Sequence, residues 1–481
     1  MIRFLLANTE RCINGLDPTI SVLAYLRDAE QLKGTKNGCS TGDGGACTVV
    51  LGEPVGDTLR YRAINACITP MVSLHGKQLI TVEHLKHTSG LHAVQRAMVD
   101  CHASQCGYCT PGIVMSLFAH LHTHEQPVEA TLIESLSGNL CRCTGYRPIL
   151  QAGAAMYADR VDDQFTEAQA STVVRLKHIS AAPVETGVEK NGRRYYWPQS
   201  IRQLTSILQQ YPDATLLAGG TDLMQNLLKN MVETDTVVYT GYVRELHEVN
   251  ATATALEIGA AVAYSDCAKL LVEEYPELDE LLQRFGSQQI RNVATLAGNI
   301  GSASPCGDML PFLIAVGAEV ALRLGEDIRS SAVEKFIALK RKSALLPGEF
   351  IEQILVPRRR PDYVLRVYKV SKRREDDISS ICGAFNMKIE DGLVCGIRIA
   401  FGGMAEVTKR AEHCEAALQG QPWNQLTVGS AMEALEYDFT PISDLRASAG
   451  YRMQVAKNML QRLFLQTDDP SSGPKVEPRE N

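Results

Sequence analysis

The sequence Cys106-Gly-Tyr-Cys109, followed after 31 residues by Cys141-Arg-Cys143, decides the fold of the segment around it. Each short pair places two thiols on one turn, so the two turns together can supply four sulfur ligands to one metal centre. Thr110-Pro111 and Arg147-Pro148 then place a proline in the first turn of a helix, where its missing N–H costs no hydrogen bond. The sequence therefore predicts a metal centre on a helical bundle. Spacing alone leaves both an iron-sulfur cluster and a structural zinc ion open.

A second group of cysteines lies upstream, in the glycine-rich segment Cys39-Ser-Thr-Gly-Asp-Gly-Gly-Ala-Cys47 and at Cys67. The segment resembles the cluster-binding loop of plant-type ferredoxins, whose spacing requires a cysteine where this chain has Gly44. Three of the four ligands of that pattern are therefore present. We expect an oxygen ligand such as Asp43 or Ser40 to replace the fourth, or the cluster to be labile or absent.

The composition is that of a globular protein with several domains. Of the 481 residues, 45% are hydrophobic and 21% are charged, which excludes the disordered and fibrous classes. The net charge of −7 offers no basic field to nucleic acid. The sequence contains no apolar run of membrane-spanning length and no signal peptide, so we expect no membrane contact and a cytoplasmic location. Nine of the 14 cysteines lie between Cys12 and Cys143, a clustering that favours metal binding over disulfides.

Two later segments are suited to binding a pyrophosphate. A strand from Thr215 to Ala218 runs into Gly219-Gly220 and then into a helix at Thr221-Asp222, so that bare backbone amides can approach a phosphate. A side chain at Gly220 would then occupy the place of the phosphate. A loop of small and polar residues from Thr295 to Asp308 is the second such segment.

Other features have simpler interpretations. The densely charged run from Lys372 to Ile378 is typical of a solvated loop. His120, His122 and His124 alternate near a predicted helix end, and we expect them to be exposed rather than to bind metal. Cys12 is expected in the core rather than as a replacement ligand.

The order of these motifs, from the glycine-rich cysteine loop through the two cysteine pairs to Ala218-Gly-Gly-Thr-Asp222, resembles the xanthine dehydrogenase family. Within it the chain is similar to the bacterial small subunit, which carries iron-sulfur and flavin domains. The resemblance implies a multidomain α+β fold: a β-grasp ferredoxin-like domain, a four-helix 2Fe-2S bundle, an α/β FAD-binding domain of the vanillyl-alcohol-oxidase (PCMH) type and a C-terminal α+β flavoprotein domain. The expected boundaries are 1–90, 91–160, 195–360 and 361–465, with a linker at 161–194 and a disordered tail at 466–481.

The resemblance also implies ligands for each cofactor. One 2Fe-2S cluster would be held by Cys106, Cys109, Cys141 and Cys143, and a second, lacking a ligand at position 44, by Cys39, Cys47 and Cys67. FAD would be bound by Leu216, Leu217, Ala218, Gly219, Gly220, Thr221, Asp222, Leu223, Phe285, Thr295, Gly298, Asn299, Ser304, Asp308, Ile351 and Lys369. Asp376, in the charged run, would control the access of NAD to the flavin.

The same resemblance places substrate oxidation on a partner subunit that binds the molybdenum cofactor, because such binding domains are not encoded here. This chain would pass electrons through the two clusters and FAD to NAD while hypoxanthine and xanthine are oxidised to urate. Gln105 and Cys143 resemble positions that contact the pterin across the subunit boundary. The expected assembly is a heterotetramer of two small and two large chains.

Alternative functions share much of this pattern. An aldehyde or nicotinate hydroxylase of the same superfamily would carry nearly all these motifs, because substrate specificity would lie on the missing subunit. A carbon monoxide dehydrogenase is less favoured, because its iron-sulfur and flavin units are usually separate chains. A cofactor-free structural or assembly subunit with structural zinc is an alternative from a different class.

Overall fold

A computed structural model describes residues 1–15, 20–86, 90–158, 162–181, 186–190, 192–229, 231–337 and 344–468. The chain divides into two compact units. Unit 1 comprises Met1–Leu246, Ala263–Asp266 and Gly286–Thr295, and unit 2 comprises His247–Val262, Cys267–Phe285 and Leu296–Asn481. Each unit is described by itself below.

The strands are β1 (Ile2–Leu6), β2 (Thr9–Ile13), β3 (Thr48–Val55), β4 (Thr58–Asn65), β5 (Gln78–Ile80), β6 (Gly187–Lys190), β7 (Arg193–Tyr196), β8 (Thr215–Leu217), β9 (Thr236–Tyr239), β10 (Val249–Ala251), β11 (Ala255–Gly259), β12 (Glu319–Leu324), β13 (Asp327–Ala332), β14 (Phe350–Pro357), β15 (Val364–Val370), β16 (Ile381–Glu390), β17 (Leu393–Gly402) and β18 (Lys409–Arg410).

The α-helices are α1 (Val22–Ala24), α2 (Ala93–Asp100), α3 (Thr110–Thr123), α4 (Glu129–Leu136), α5 (Arg147–Ala155), α6 (Gln164–Glu167), α7 (Gln169–Ala181), α8 (Ile201–Gln210), α9 (Leu223–Leu228), α10 (Tyr264–Glu274), α11 (Asp279–Arg284), α12 (Gln288–Arg291), α13 (Leu296–Gly301), α14 (Met309–Val316), α15 (Val333–Phe336), α16 (Glu412–Leu418), α17 (Gln425–Asp438) and α18 (Ala449–Asp468). Short 3₁₀ turns occur at Met71–Leu74, Val82–His84, Arg244–His247 and Pro276–Leu278, and a π-helical turn at Tyr25–Ala29.

Unit 1 begins with a mixed sheet of five described strands in the order β2-β1-β5-β3-β4. Strands β1 and β5 are parallel and the other neighbours are antiparallel. Alternate side chains of β1, among them Ile2 and Phe4, point into one core, as the two-residue repeat of a strand requires. This sheet is the β-grasp element of the predicted α+β multidomain fold, and that fold class is confirmed.

Helices α2 to α5 form the predicted bundle in unit 1. Helix α3 begins at Thr110 and α5 at Arg147, so each starts where a proline in the first turn predicted it. Helix α3 is buried over most of its length, and Leu117 and Phe118 lie at the centre of the core that the bundle shares. The turns that precede α3 and α5 carry the two cysteine pairs.

The segment 161–194 differs from the linker that its polar sequence predicted. It contains α6, α7, β6 and the start of β7, and residues 161, 182–185 and 191 lie outside the described residues. Helix α7 buries Val173, Leu176 and Ile179, one residue per turn, in the same core as the bundle. The linker interpretation was wrong because three apolar residues among many polar ones are enough to dock a helix on one face.

A further sheet of unit 1 consists of described strands in the order β6-β7-β9-β8. Strands β7, β9 and β8 are parallel, and α8 and α9 connect them. Trp197, directly after β7, is fully buried. Strand β8 leads into Gly219-Gly220, so this sheet positions the predicted phosphate-binding turn.

Unit 2 contains two antiparallel sheets of described strands, β10-β11-β14-β12-β13 and β15-β16-β17-β18. The second sheet packs with α16, α17 and α18 around a core that includes Phe385, Phe401 and Leu460. Helix α18 extends to Asp468, so the first three residues of the predicted disordered tail are helical, and 469–481 lie outside the described residues. Among the helices that the structure describes, none has the length and apolar character needed to cross a bilayer.

Candidate functional site

The two cysteine pairs of the bundle come together in unit 1 as two pairs of neighbouring thiols. Cys143 contacts Cys106, and that hydrogen bond raises the pKa of Cys143. Cys109 contacts Cys141, and burial together with that hydrogen bond raises the pKa of Cys109 to about 12. Each neighbouring pair therefore takes one cysteine from each turn.

The arrangement of these four sulfurs distinguishes a binuclear centre from a single ion. Four sulfurs around one zinc ion, with Zn–S bonds of about 2.3 Å, would lie only ~3.8 Å apart. In the described residues, no three cysteine sulfurs lie within 4.8 Å of one another. Two separate pairs are what two irons with two protein ligands each require. The four cysteines therefore fit a 2Fe-2S cluster better than structural zinc.

The second cysteine group is also brought together in unit 1. Hydrogen bonding to Cys67 and burial raise the pKa of Cys39 to about 11. Hydrogen bonding to the same Cys67 lowers the pKa of Cys47. Cys47 and Cys67 are buried, whereas Cys39 is exposed. The loop thus presents three thiols, with Cys39 on the solvent side.

Gly44 occupies the place of the missing ligand. A Cβ atom there would lie 3.6 Å from the Sγ of Cys39, in ordinary van der Waals contact. Gly42 and Gly45 have φ values of +86° and +68°, which favour glycine, but Gly44 is not in that left-handed region. The three thiols therefore do not complete the ligand set of a 2Fe-2S cluster, and the backbone gives no reason for glycine at position 44.

The oxygen ligands suggested by the sequence already have partners within the loop. Asp43 accepts a hydrogen bond from the hydroxyl of Thr41 at 2.5 Å, and the hydroxyl of Ser40 donates to Asn37 at 2.7 Å. Cys12 lies on β2 and is exposed, so its predicted core position was wrong.

A buried polar junction joins the two cysteine regions, and we did not predict it from the sequence. Asn139 donates to the carbonyl of Gly45 at 3.1 Å and accepts hydrogen bonds from Ser116 at 2.6 Å and Gln289 at 3.1 Å. A Cβ at Gly112 would lie 2.1 Å from the carbonyl oxygen of Gly45, so α3 meets the loop backbone directly. A glycine in the first turn of a helix was the available signal. Gln289 is 150 residues from Asn139, and no sequence pattern links them.

The histidines near the end of α3 are not the exposed group that the sequence predicted. His120 is buried, and its two ring nitrogens form hydrogen bonds with the hydroxyls of Tyr157 and Thr131. His122 and His92 both contact Asp163, through Nε2 to Oδ2 distances of 2.9 and 2.8 Å. In the described part of the chain, these three residues form the one group of three or more possible metal ligands whose ligand atoms all lie within 4.8 Å of one another.

Hydrogen bonding explains the Asp163 cluster without a metal. The Nδ1 of His92 accepts the backbone N–H of Val94, so its Nε2 carries a proton and donates to Asp163. Burial opposes ionisation of Asp163, but the hydrogen bonds from His122 and His92 outweigh it and hold the pKa well below its ordinary value. Asp163 also caps α6 through the N–H of Phe165. The cluster therefore attaches α6 to the bundle.

The predicted phosphate-binding turn of unit 1 has the expected strand-turn-helix order. Gly220 has a φ of +80°, and α9 begins at Leu223 after the N-cap residue Asp222. A Cβ at Gly219 would lie 1.8 Å from the carbonyl oxygen of Val293, and one at Gly220 would lie 2.9 Å from that of Ile68. Both glycines are therefore required by the protein backbone itself. A side chain at Gly220 would therefore strain the fold whether or not a phosphate is bound beside it.

The other residues of unit 1 that we predicted to bind FAD differ in their exposure to solvent. Leu217 is buried in β8, Leu216 is half-buried, and Thr221 and Leu223 are half-buried at the start of α9. Thr295 is buried and forms an isolated bridge with Ala263.

In unit 2 the second predicted segment comprises α13, which carries Gly298 and Asn299, and the loop that follows this helix. The Oδ1 of Asn299 is buried and has no hydrogen-bond partner among the described residues. The carbonyl of Ser304 accepts the N–H of Gly307 at 3.0 Å, and Gly298 is exposed. An unpaired buried acceptor is costly unless a ligand satisfies it, so Asn299 fits a role in cofactor binding.

Asp308 and Lys369 form a buried ion pair in unit 2, with side chains 6% and 1% exposed. Asp308 also accepts a hydrogen bond from Ser379 at 2.5 Å, and Lys369 donates to the carbonyl of Asp377 at 2.8 Å. Asp308 and Lys369, which the resemblance assigned separately to FAD, thus neutralise each other's charge. Ile351, in β14, is buried, and Phe285 is half-buried at the end of α11.

The charged run forms the loop between β15 and β16 in unit 2. Asp376 has a φ of +44°, and its carbonyl accepts a hydrogen bond from Arg373 at 2.9 Å. Arg284 donates to the carbonyls of Arg374 and Lys369, which ties the loop to α11. The loop is partly exposed, as predicted, but its backbone is held in place by specific arginine contacts.

The bundle surface next to the cysteine pairs has an apolar groove. It has a volume of about 420 Å³ and its lining includes Leu91, Met98, Val99 and Val114. Val99 is 60% exposed. Such an exposed apolar surface is typical of a protein interface.

Three family models match the chain. Residues 81–154 match a [2Fe-2S] binding domain, residues 188–359 an FAD binding domain in molybdopterin dehydrogenase, and residues 366–467 the CO dehydrogenase flavoprotein C-terminal domain. The chain therefore carries iron-sulfur and FAD-binding domains and is an electron-transfer chain of an oxidoreductase.

Curated relatives and solved structures agree with these models. The chain is 32% identical to xanthine dehydrogenase of Emericella nidulans over 96% of its own length and 38% of that protein, and 33% identical to xanthine dehydrogenase of Drosophila pseudoobscura pseudoobscura over 87% and 35%. It thus spans little more than a third of these relatives. Among solved structures, a carbon monoxide dehydrogenase chain from Hydrogenophaga pseudoflava matches with 26% identity and a TM-score of 0.53, covering 58% of this chain and 96% of that one. Quinoline 2-oxidoreductase from Pseudomonas putida 86 matches with 25% identity and a TM-score of 0.52, covering 56% and 95%. By its domain models and relatives, the chain belongs to the xanthine dehydrogenase family, where it corresponds to the iron-sulfur and FAD-binding region.

Proposed function

We propose that this chain is the iron-sulfur and FAD subunit of a xanthine dehydrogenase. The bound clusters and FAD would supply the electron transfer that links a molybdenum-cofactor partner to NAD during oxidation of hypoxanthine and xanthine to urate. The observation that carries the proposal is the pairing of Cys106 with Cys143 and of Cys109 with Cys141, a donor set for two irons. The protein's own contribution is to hold these thiols at fixed spacing at the start of α3 and before α5.

The proposed partner is a molybdenum-binding large subunit in a two-plus-two heterotetramer. Gln105, Cys106 and Cys143 are exposed, and the apolar side chains of Tyr108 and Tyr146 beside them are 49% and 39% exposed. The apolar groove defined above lies on the same bundle. A partner that covers this surface would remove apolar area from water and approach the cysteine pairs.

The proposed FAD ligands are the turn from Leu216 to Leu223 together with Phe285, Thr295, Gly298, Asn299, Ser304, Asp308, Ile351 and Lys369. The orphaned Oδ1 of Asn299 is the structural observation that supports this assignment. The matched segments 81–154, 188–359 and 366–467 also support the proposed domains 91–160, 195–360 and 361–465.

Asp376 is proposed to control the approach of NAD, because it lies at the exposed loop held by Arg284 and Arg373. We further propose a cytoplasmic location. An aldehyde or nicotinate hydroxylase remains the alternative, since the substrate would be chosen on the absent subunit. The zinc-bearing structural subunit is disfavoured by the paired arrangement of the thiols.

The experiment is a steady-state assay of this chain co-purified with its molybdenum partner. We expect xanthine-dependent NAD reduction without oxygen, and we expect Asp376→Asn to slow NAD reduction while turnover with an artificial dye persists. Asparagine tolerates the positive φ at this position, so the backbone is preserved, and Glu375→Gln is the neighbouring control. Oxidation with oxygen alone and no effect of NAD would instead favour an oxidase, and xanthine hydroxylation by the isolated chain would contradict the need for a partner.

A further inference from the structure

The segment Gly286–Thr295, the strap, belongs to unit 1, although the residues on both sides of it in the sequence belong to unit 2. Its short helix α12 carries Gln289, whose side chain is fully buried in the polar junction around Asn139. The Nε2 of Gln289 donates to the Oδ1 of Asn139 at 3.1 Å. It also lies within hydrogen-bond distance of the hydroxyls of Ser116, at 3.0 Å, and Thr48, at 3.3 Å. One amide of the strap is therefore shared among three parts of unit 1.

The strap also lies directly against the chain that leads into Cys141. A Cβ at Gly138 would lie 2.3 Å from the Oε1 of Gln289, so the strap fills the space that a side chain at this position would need. Arg291 of the strap, which is 4% exposed, donates to Glu134 on α4 at 2.7 Å. The position of the turn before Cys141 therefore depends on the position of the strap.

The other end of the strap meets the predicted phosphate-binding turn of unit 1. A Cβ at Gly219 would lie 1.8 Å from the carbonyl oxygen of Val293, so the two backbones are in direct contact. The N–H of Val293 donates to the carbonyl of Ile290 at 3.1 Å, which continues the helical turn of α12. Gln289 and Val293 are four residues apart, or about 6 Å along such a turn. One helical turn thus separates the contact with the phosphate-binding turn from the contact with the junction.

The junction is sensitive to the strap because its polar groups are buried. Asn139 and Ser116 are 2% and 1% exposed, so a strap that moves away leaves buried polar groups with fewer partners, which is costly. Asn139 lies two residues before Cys141, and the N–H of the intervening Leu140 donates to a main-chain carbonyl at 3.1 Å. Displacement of Gln289 would therefore loosen this segment.

We propose that the strap couples flavin binding at the phosphate-binding turn to the order of the turn that carries Cys141, with Gln289 as the positioning residue. The proposal rests on the flavin function proposed above. FAD at Gly219-Gly220 requires the backbone there to keep the position that Val293 supports, so FAD favours the strap in its seated position. The seated strap holds Gln289 in the junction. Because such coupling is reciprocal, an ordered junction favours flavin binding in turn.

Amide hydrogen exchange of the purified full-length chain tests the coupling, after its flavin is removed reversibly and then restored, with the iron content measured in both states. The readout is the segment 138–146, and α7, in the same unit, is the reference for a change in global stability. We expect saturating FAD to slow exchange in 138–146 by about fivefold or more relative to α7. Riboflavin, which has no phosphate, should have a much smaller effect at saturation.

Two variants and a control isolate the role of Gln289. Gln289→Met keeps the length of the side chain and removes its donor, and Gln283→Met, at an exposed glutamine on α11, is the control. At saturating FAD we expect no flavin-dependent protection of 138–146 in Gln289→Met and full protection in Gln283→Met. FAD affinity should also fall in Gln289→Met. Ser116→Ala removes one partner of the amide and should reduce the protection in part, so it carries the test if Gln289→Met does not fold.

Three results would overturn the proposal. The first is FAD that binds to the natural chain without slowing exchange in 138–146 beyond its effect on α7. The second is a flavin-dependent protection that is the same in Gln289→Met or Ser116→Ala as in the natural chain, because Gln289 would then be structural only. The third is equal protection by riboflavin. A natural chain that binds no FAD would instead refute the flavin function itself, so the two failures are distinguishable.

Discussion

The backbone carbonyl of Gly44 accepts a hydrogen bond from the N–H of Leu140 at a distance of 3.1 Å. Leu140 precedes Cys141, so the loop that carries Cys39 is joined by one hydrogen bond to the turn that carries the other cysteine set. Asn139 adds a side-chain contact to the next carbonyl, that of Gly45. The two cysteine regions of unit 1 are therefore joined by hydrogen bonds to the main chain of the Cys39 loop.

Replacing Asn139 by alanine tests the importance of this junction. The change leaves the buried donors of Ser116 and Gln289 without their shared acceptor, and we expect the free energy of unfolding to fall by about 1–3 kcal/mol. We also expect iron to be lost more readily from both cysteine sets, because both turns lose a common support. Calorimetry and iron analysis after gel filtration measure these effects. The exposed Asn250→Ala should change stability by less than about 0.5 kcal/mol, and equal losses in both variants would contradict the assignment.

Asn299 provides a test of flavin binding that does not damage the fold. Leucine has a similar size and removes a buried acceptor that has no described partner, so Asn299→Leu should leave the stability of the FAD-free chain unchanged or higher. The same change should lower FAD affinity by about tenfold or more, since a loss of one hydrogen bond in a binding site is worth about 1–2 kcal/mol. Fluorescence titration with FAD measures the affinity, and Ser302→Ala, directly after the end of α13, is the control. Full FAD affinity in Asn299→Leu would refute this role.

The ion pair between Lys369 and Asp308 predicts a charge-dependent effect in unit 2. Lys369→Met leaves a buried carboxylate without its cation and should lower the free energy of unfolding by about 3–5 kcal/mol. Adding Asp308→Asn should recover most of the loss, because the amide oxygen can still accept the hydrogen bond from Ser379. Lys269→Met, at an exposed pair with Glu273, should have almost no effect in the same denaturation experiment. A double variant as unstable as the single one would show that charge is not the cause.

Asp163 predicts a loss of stability in acid. Its pKa in the folded chain lies below the ordinary value of 3.8, so the unfolded chain binds the proton more readily and stability rises with pH in this range. The contribution is complete above the ordinary pKa and is lost as the pH falls below it. We therefore expect Asp163→Asn to lower the Tm by at least about 3 °C at pH 7 and to differ less from the natural chain at pH 3. The exposed Asp57→Asn should show little difference at pH 7, and a pH-independent effect of Asp163→Asn would contradict the argument.

Local sequence patterns predicted the helices of the bundle well, but they could not predict which surfaces the helices pack against. The prolines at positions 111 and 148 fixed the starts of α3 and α5, because a first-turn proline constrains the chain locally. The linker interpretation of 161–194 and the exposed interpretation of His120 were wrong, because both depend on which surface a helix meets.

The candidate site shows the same limit. The cysteine pairs could be assigned from spacing, yet their cross-pairing between the two turns depends on how α3 and α5 pack. The backbone constraint on Gly220 could not be predicted, because the atom that a side chain would meet is the carbonyl oxygen of Ile68, far away in the sequence. Gln289 gave no signal at all, since its contacts with Ser116 and Asn139 arise only in the folded chain.

We infer that this one chain carries both iron-sulfur and flavin redox centres. The most direct measurement is the iron, acid-labile sulfide, zinc and FAD content of the purified chain, together with electron paramagnetic resonance after reduction with dithionite. We expect flavin absorbance, acid-labile sulfide and a 2Fe-2S signal that disappears in Cys109→Ser. Zinc in place of iron, with neither acid-labile sulfide nor flavin, would contradict it.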